Sequence, residues 1–238
     1  MCSLSSDVDI LARWIPAGCT SLDRALDGGL PPSSVTLLYG EAETGKTTLA
    51  MQCAVGSSRL GSKTLYIDSD GTFSPERLSQ IIYQDFEEVS DSIIIARPST
   101  FAEQIEIVDN LEKYVSKGFG LIVFDTVTSL YRSELASKKE TFNLNRELNR
   151  QVASLAQLAK ALDLSVLLIS QVRSVPTEFA VVPVATRVVE FWSEAVIELT
   201  RTGPGKMVKA SIEKRGKKDA KLSFYLVIGE DGVQDYGR

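Results

Sequence analysis

The chain contains no histidine. That absence excludes histidine bases, serine–histidine relays and most zinc sites, and leaves carboxylates, lysine and Mg²⁺ for any chemistry. Cysteine is almost as scarce. Cys2, Cys19 and Cys53 follow no pairing or ligand spacing, so free thiols are expected rather than disulfides or a metal centre. No apolar run approaches the roughly eighteen residues of a membrane span. The opening MCSLSSDVDILARW lacks the basic start and apolar centre of a signal peptide, so a cytoplasmic location is expected.

The chain does hold ample material for a core, since 44% of its 238 residues are hydrophobic, enough for one α/β domain or two small ones. A net charge of −5 argues against a sheath for nucleic acid, yet the charge is unevenly placed. Between Arg201 and Lys221, eight basic residues stand against two acidic ones, a local balance of +6. An acidic body with one basic edge is a directional surface. The same residues would equally suit a solvated β-hairpin tip.

The most informative stretch is LLYGEAETGKTTLA, Leu37 to Ala50. Gly40, four residues, then Gly45-Lys46-Thr47 follow the apolar run SVTLLY and precede a segment of helical character. A glycine-rich turn lets backbone N–H groups converge on an anion, and the following helix adds its positive dipole end. Lys46 would reach the β- and γ-phosphates of a nucleotide, and the Thr47 hydroxyl would ligate Mg²⁺.

Around this loop, apolar runs of strand length alternate with segments of helical periodicity. The runs are SVTLLY, KTLYID, SIIIA, GLIVFD and LSVLLIS; the helical segments include SPERLSQIIYQ, TFAEQIEIVDNLEKYV and a long helix after GLIVFD. Continuous apolar strands interleaved with helices imply a parallel sheet covered on both faces. In the long helix, Leu148, Val152, Leu155, Ala159 and Leu162 recur at three- and four-residue steps, which assigns them to the core. After Trp192 the pattern changes to EAVIELTR, KMVKASIEKR and KLSFYLVIG, with TGPG as a turn, and these are expected to finish the sheet as antiparallel strands. With no linker or repeat, a single domain over 1–238 is expected.

In a parallel sheet, ligands sit at the carboxyl ends of the strands. Asp125 follows LIVF and suits a carboxylate that holds Mg²⁺. Asp68 and Asp70 follow LYI, and Ser170 and Gln171 follow LLI. A carboxylate there could orient an attacking water and an amide could sense the γ-phosphate.

CTSLDRALDGGLPPSSVTLLYGEAETGKTTLA, TLYIDSDGTFSPERL, LIVFDTVTSLYRSE and LLISQVRS occur in that order over nearly the whole chain. With these motifs the sequence resembles the ATPase core of the RecA/RadA recombinase superfamily, and its tail, PVATRVVEFWSEAVIEL to GEDGVQD, most resembles an archaeal paralogue branch of it. The resemblance implies a RecA-like P-loop ATPase core: a mostly parallel central sheet, helices on both faces, and antiparallel C-terminal strands. It implies ATP and Mg²⁺ as cofactors. The nucleotide loop would comprise Gly40, Glu41, Ala42, Glu43, Thr44, Gly45, Lys46, Thr47 and Thr48, with Thr47 and Asp125 on the metal.

It further implies that Arg77 stacks on adenine, that Asp70 and Gln171 act with Lys46 on the γ-phosphate and its attacking water, and that Lys214 and Arg215 reach a neighbouring subunit's ATP. For DNA it implies two loops. Tyr131 to Arg146 would supply Arg132, Lys138, Lys139 and Arg146. The segment from Arg173 to Thr186 would supply Arg173, with Arg187 just beyond. Stacking material is modest, Tyr131, Phe142 and Phe179, so electrostatics should outweigh base reading.

Departures from the superfamily pattern shape the expectation. Asp70 stands where recombinases place glutamate, which predicts slow hydrolysis. Glu43 puts a negative charge inside the phosphate loop unless its side chain points to solvent. No segment ahead of the core matches the helical DNA-binding domain of full recombinases, or the aromatic-x-x-Ala segment that ties their subunits into filaments. The expectation is an ATP- and DNA-binding accessory protein of homologous recombination and DNA repair, partnering single-stranded DNA and the main RadA-type recombinase, with homo-oligomers allowed and no membrane. The alternative is a KaiC-like, nucleotide-gated signalling ATPase that does not bind DNA. A helicase motor is a weaker third reading, since it needs efficient turnover.

Overall fold

The computed structural model describes residues 13–134, 138–171, 184–203, 205–216 and 218–237. The elements run α1 (Thr20–Ala25), β1 (Ser34–Gly40), α2 (Lys46–Arg59), β2 (Lys63–Asp68), α3 (Pro75–Ile81), α4 (Phe86–Asp91), β3 (Ile93–Ala96), α5 (Phe101–Asp109) and α6 (Leu111–Tyr114). They continue with β4 (Phe119–Asp125), α7 (Ser129–Ser133), α8 (Lys138–Leu162), β5 (Ser165–Gln171), α9 (Val184–Trp192), β6 (Ala195–Arg201), β7 (Met207–Arg215), β8 (Lys218–Gly229) and β9 (Gly232–Asp235). All strands join one nine-stranded sheet in the order β3-β2-β4-β5-β1-β6-β7-β8-β9.

The continuous apolar runs become strands buried on both faces. Successive residues of β4 alternate between two cores: Leu121 and Val123 face the layer that holds α2, while Ile122 and Phe124 face the layer that holds α8. Removing each such side chain from water contributes about 1.5–3 kcal/mol. On α8, Leu148, Val152, Leu155 and Ala159 are fully buried, as the helical spacing predicts, and Leu162 packs at the margin.

Three features differ from the sequence reading. β6 is not antiparallel on both sides: it pairs parallel with β1, Thr36 opposite Ala195, and antiparallel only with β7. The chain leaves β5 on one flank of β1 and, by way of α9, re-enters on the other flank in the same direction. A short β9 extends the sheet and is held by the Gln52 side chain, which accepts from Val233 N at 2.8 Å and donates to Val233 O at 3.0 Å. Four residues carry too little alternation to be read as a strand. The expected helix TFAEQIEIVDNLEKYV divides at Asn110, whose side-chain amide donates to the Glu106 carbonyl at 2.7 Å, a local bond that competes with helix propagation. Among the described residues, no helix is long and apolar enough to cross a membrane.

Cys19 and Cys53 are both buried and free. Burial, helped by Asp235 and Asp23, pushes the Cys19 thiol up to about 12, and burial raises Cys53 well above the usual thiol range. Both therefore stay protonated, and the thiolate is the reactive form. Iodoacetamide at pH 8 should leave the two peptides unmodified in the native protein and alkylate both after denaturation. Native-state labelling of either, read by peptide mass spectrometry, would contradict this burial.

Candidate nucleotide site

β1 ends at Gly40, and α2 begins at Lys46 directly after Gly45. A Cβ at Gly40 would lie 2.1 Å from the Leu199 carbonyl oxygen, so only glycine lets β1 turn away while still paired with β6. Gly45 sits at φ +86, a left-handed conformation that favours glycine, and opens α2 towards the cradle. Between them the Lys46 ammonium folds back over the loop, donating to the Glu41 carbonyl at 2.5 Å and reaching Thr44 Oγ1 at 3.4 Å. Lys46 is only 8% exposed. Burial pushes it down to about 8 against the opposing pull of Asp125, Asp70 and Glu41. Its desolvation is thus incompletely repaid by the protein, as suits a cation built to meet a phosphate.

The parallel register brings the other groups to the same edge. Gly40 lies opposite Gln171, and Asp68 opposite Asp125. The Asp125 carboxylate accepts from Tyr66 Oη at 2.9 Å and lies 3.2 Å from Thr126 Oγ1, and the nearby Thr47 hydroxyl favours its charged form. Burial raises its pKa, while the hydroxyls of Thr47 and Tyr66 oppose the shift. A hydroxyl and a carboxylate side by side are hard oxygen donors that fit Mg²⁺. Asp125 is joined to Thr126 by a cis peptide. Asp70 accepts the single Thr126 hydroxyl proton at 2.6 Å, so Thr126 sits between the two carboxylates. Asp68 is not available to this site, because its carboxylate accepts from Thr72 N, Phe73 N and Arg97 Nε and closes the turn after β2.

Glu43 does not point its charge into the cradle. Its side chain is exposed and pairs with Arg201 at the end of β6. The residue expected to oppose the nucleotide is offset by a cation 158 positions further along the chain, a pairing the β1–β6 neighbourhood creates. Tyr66, Thr126 and Arg201 are the members that sequence reasoning missed. The only signal for Thr126 was its place directly after Asp125.

Arg77, the third residue of α3, has its backbone N–H capped by Ser74 and its guanidinium engaged by Gly229 O, Glu230 O and Gln80 Oε1. Lys214 and Arg215 sit at the far end of the sheet. They lie opposite Val196 and Ala195, whereas Gly40 lies opposite Leu199. Lys214 donates to Ser193 O at 2.6 Å, and Arg215 pairs with Asp27 at 2.9 Å. Any contact they make with ATP is therefore with another chain's.

Among the DNA candidates, Arg146 and Arg187 are exposed on α8 and α9. Arg132 is half-buried and donates to Thr128 O at 3.2 Å and Gln171 O at 3.0 Å, tying the two candidate loops together at their roots. Lys138 and Lys139 begin α8, with their side chains outside the described residues, and Arg173 and Phe179 also lie outside them. Phe142 is 70% exposed, but Tyr131 is not available for stacking. It is buried edge-on against Phe101, with its hydroxyl on Asn145 at 2.6 Å.

Sheet order, glycine loop and strand-end carboxylates together define a protein with the RecA-like fold. The chain belongs to the Rad51 family, whose family model matches residues 11–236. Relatives named DNA repair and recombination protein RadB include one from Thermococcus onnurineus, 35% identical over 224 residues, covering 93% of this chain and 97% of the relative. Another, from Methanococcoides burtonii, is 32% identical over 218 residues, covering 92% and 96%. Among solved structures, the crystal structure of the RadB recombinase superposes with a TM-score of 0.81 at 32% identity, covering 93% of this chain and 99% of that one.

Proposed function

We propose that this chain is an ATP- and DNA-binding accessory protein of homologous recombination and DNA repair, with slow Mg²⁺-dependent ATP hydrolysis, acting in the cytoplasm beside a RadA-type recombinase. The observation that carries the nucleotide reading is the convergence of Lys46, the Thr47–Asp125 pair and Asp70 at one sheet edge. Lys46 would leave the Glu41 carbonyl for the β- and γ-phosphates, and the N–H groups of Glu43 to Thr48 would wrap them. Mg²⁺, held by Thr47 and Asp125, would neutralise phosphate charge. Asp70, fixed by Thr126, would orient water, and Gln171 would carry the state of the γ-phosphate into the segment that follows β5.

The names of the relatives and the exposed Arg146 and Arg187 support the DNA reading. Arg132 supports it indirectly, since it ties one candidate loop to the backbone of Gln171. Single-stranded DNA should bind with log K falling by about 0.7 per phosphate contact against log salt. A fluorescence titration at several salt concentrations measures the slope. A flat or absent response, together with a discrete hexamer forming on ATP addition, would favour a nucleotide-gated signalling role instead.

A further inference from the structure

The hairpin of β8 and β9 reaches from the glycine loop to Arg77. At one end, a Cβ on Gly45 would meet Ile228 and Val233 at 3.2 Å, so the hairpin packs directly on the last glycine of the cradle. Gln52, two turns into α2, pairs with both backbone groups of Val233 and fixes the hairpin to the helix that opens at the cradle. At the other end, Arg77 Nη1 donates to Glu230 O at 2.5 Å and Nη2 to Gly229 O at 2.8 Å.

Guanidinium donors lie in the plane of the group, so two bonds to consecutive carbonyls set that plane while using neither of its faces. A planar cation presents a stacking surface to an aromatic ring. From α3 itself the guanidinium meets Gln80, whose exposed Oε1 accepts from Nη1 at 2.9 Å, and the hairpin carbonyls add the two bonds that come from outside the helix.

We propose that the Gly229–Glu230 turn is a positioning element for base recognition. It locks the plane of Arg77 at a fixed offset from the phosphate cradle, so that the planar base of a nucleoside triphosphate is received without ordering the side chain on binding. The inference rests on the nucleotide reading above and adds to it the C-terminal hairpin, which contributes to base binding without touching the phosphates. Loss of the turn should remove the contribution of the base and leave that of the phosphates.

Calorimetric titration of the full chain with Mg-ATP and, separately, with Mg-tripolyphosphate tests it. Four variants are compared with the parent: one glycine inserted between Glu230 and Asp231, Arg77→Lys, Arg77→Ala, and the insertion combined with Arg77→Ala. The insertion should weaken ATP about five- to tenfold and leave tripolyphosphate unchanged. Arg77→Lys, which keeps the charge without the planar fork and leaves the hairpin intact, should do the same. In the Arg77→Ala background the insertion should add nothing, since the turn acts through Arg77.

An insertion that leaves ATP affinity at the parent value, or weakens it equally in both backgrounds, overturns the proposal. A parent that binds tripolyphosphate as tightly as ATP overturns it while sparing the cradle. A parent that binds neither ligand removes the nucleotide reading itself.

Discussion

Lys46→Ala should bind ATP about a hundredfold more weakly than the parent, with the melting temperature of the ligand-free protein nearly unchanged. The loss follows from the chemistry of the contact, because a charge-assisted pair of hydrogen bonds to phosphate is worth about 3 kcal/mol in a dry cradle. The unchanged stability follows from a balance. Burial lowers the Lys46 pKa from 10.5 to about 8, so the protonated form is disfavoured by folding; that cost, about 3 kcal/mol, is fully present below pH 8 and vanishes above 10.5. Alanine relieves it at neutral pH and loses packing of the buried stem, a similar amount with the opposite sign. Calorimetry with Mg-ATP and a thermal melt read the two effects separately. ATP binding at the parent's affinity would show that the Gly40–Thr48 loop is not a phosphate cradle.

Asp70→Glu should accelerate ATP hydrolysis, by about tenfold to a hundredfold. Asp70 lies two residues past the end of β2 near Asp125, and its carboxylate is held by Thr126. One methylene fewer than glutamate withdraws that carboxylate by roughly 1.5 Å, and a displacement of about 1 Å at a reacting centre can cost on the order of a hundredfold. Restoring the reach should recover part of that factor, with ATP affinity little changed, because the carboxylate acts on water rather than on the bound phosphates. Phosphate release at saturating ATP measures it. Turnover equal to or below the parent's would place the water-orienting carboxylate elsewhere. Asp68 is then no candidate, since its oxygens are consumed by Thr72, Phe73 and Arg97, and Glu41 remains.

The turn between β1 and α2, the place of Asp125 at the end of β4 and the parallel strands were legible because each is a local pattern: a glycine spacing, a carboxylate after an apolar run, the run itself. What was illegible depends on pairings between distant segments. The direction of β6 follows from the path of the chain through α9, which no property of EAVIELTR encodes. Glu43 reads as a defect in the phosphate loop until the β1–β6 pairing brings Arg201 beside it. Tyr131 reads as a stacking residue in a polar loop, yet α5 and α8 close over it and supply Phe101 and Asn145. Part of the basic edge read from Arg201 to Lys221 is spent internally, with Lys214 on a carbonyl and Arg201 and Arg215 on carboxylates. The departures at Asp70 and Glu43 were both visible in the sequence, but only the geometry separates them: Glu43 pairs outward with Arg201, while Asp70 is held by Thr126 next to Asp125.

The most direct test of the account is fluorescence anisotropy of a labelled single-stranded oligonucleotide titrated with the parent and with Lys46→Ala, without nucleotide, with Mg-ADP and with Mg-ATP. The account predicts salt-sensitive binding whose affinity shifts with ATP in the parent and not in Lys46→Ala. Absence of binding in every nucleotide state, even at low salt, would contradict it.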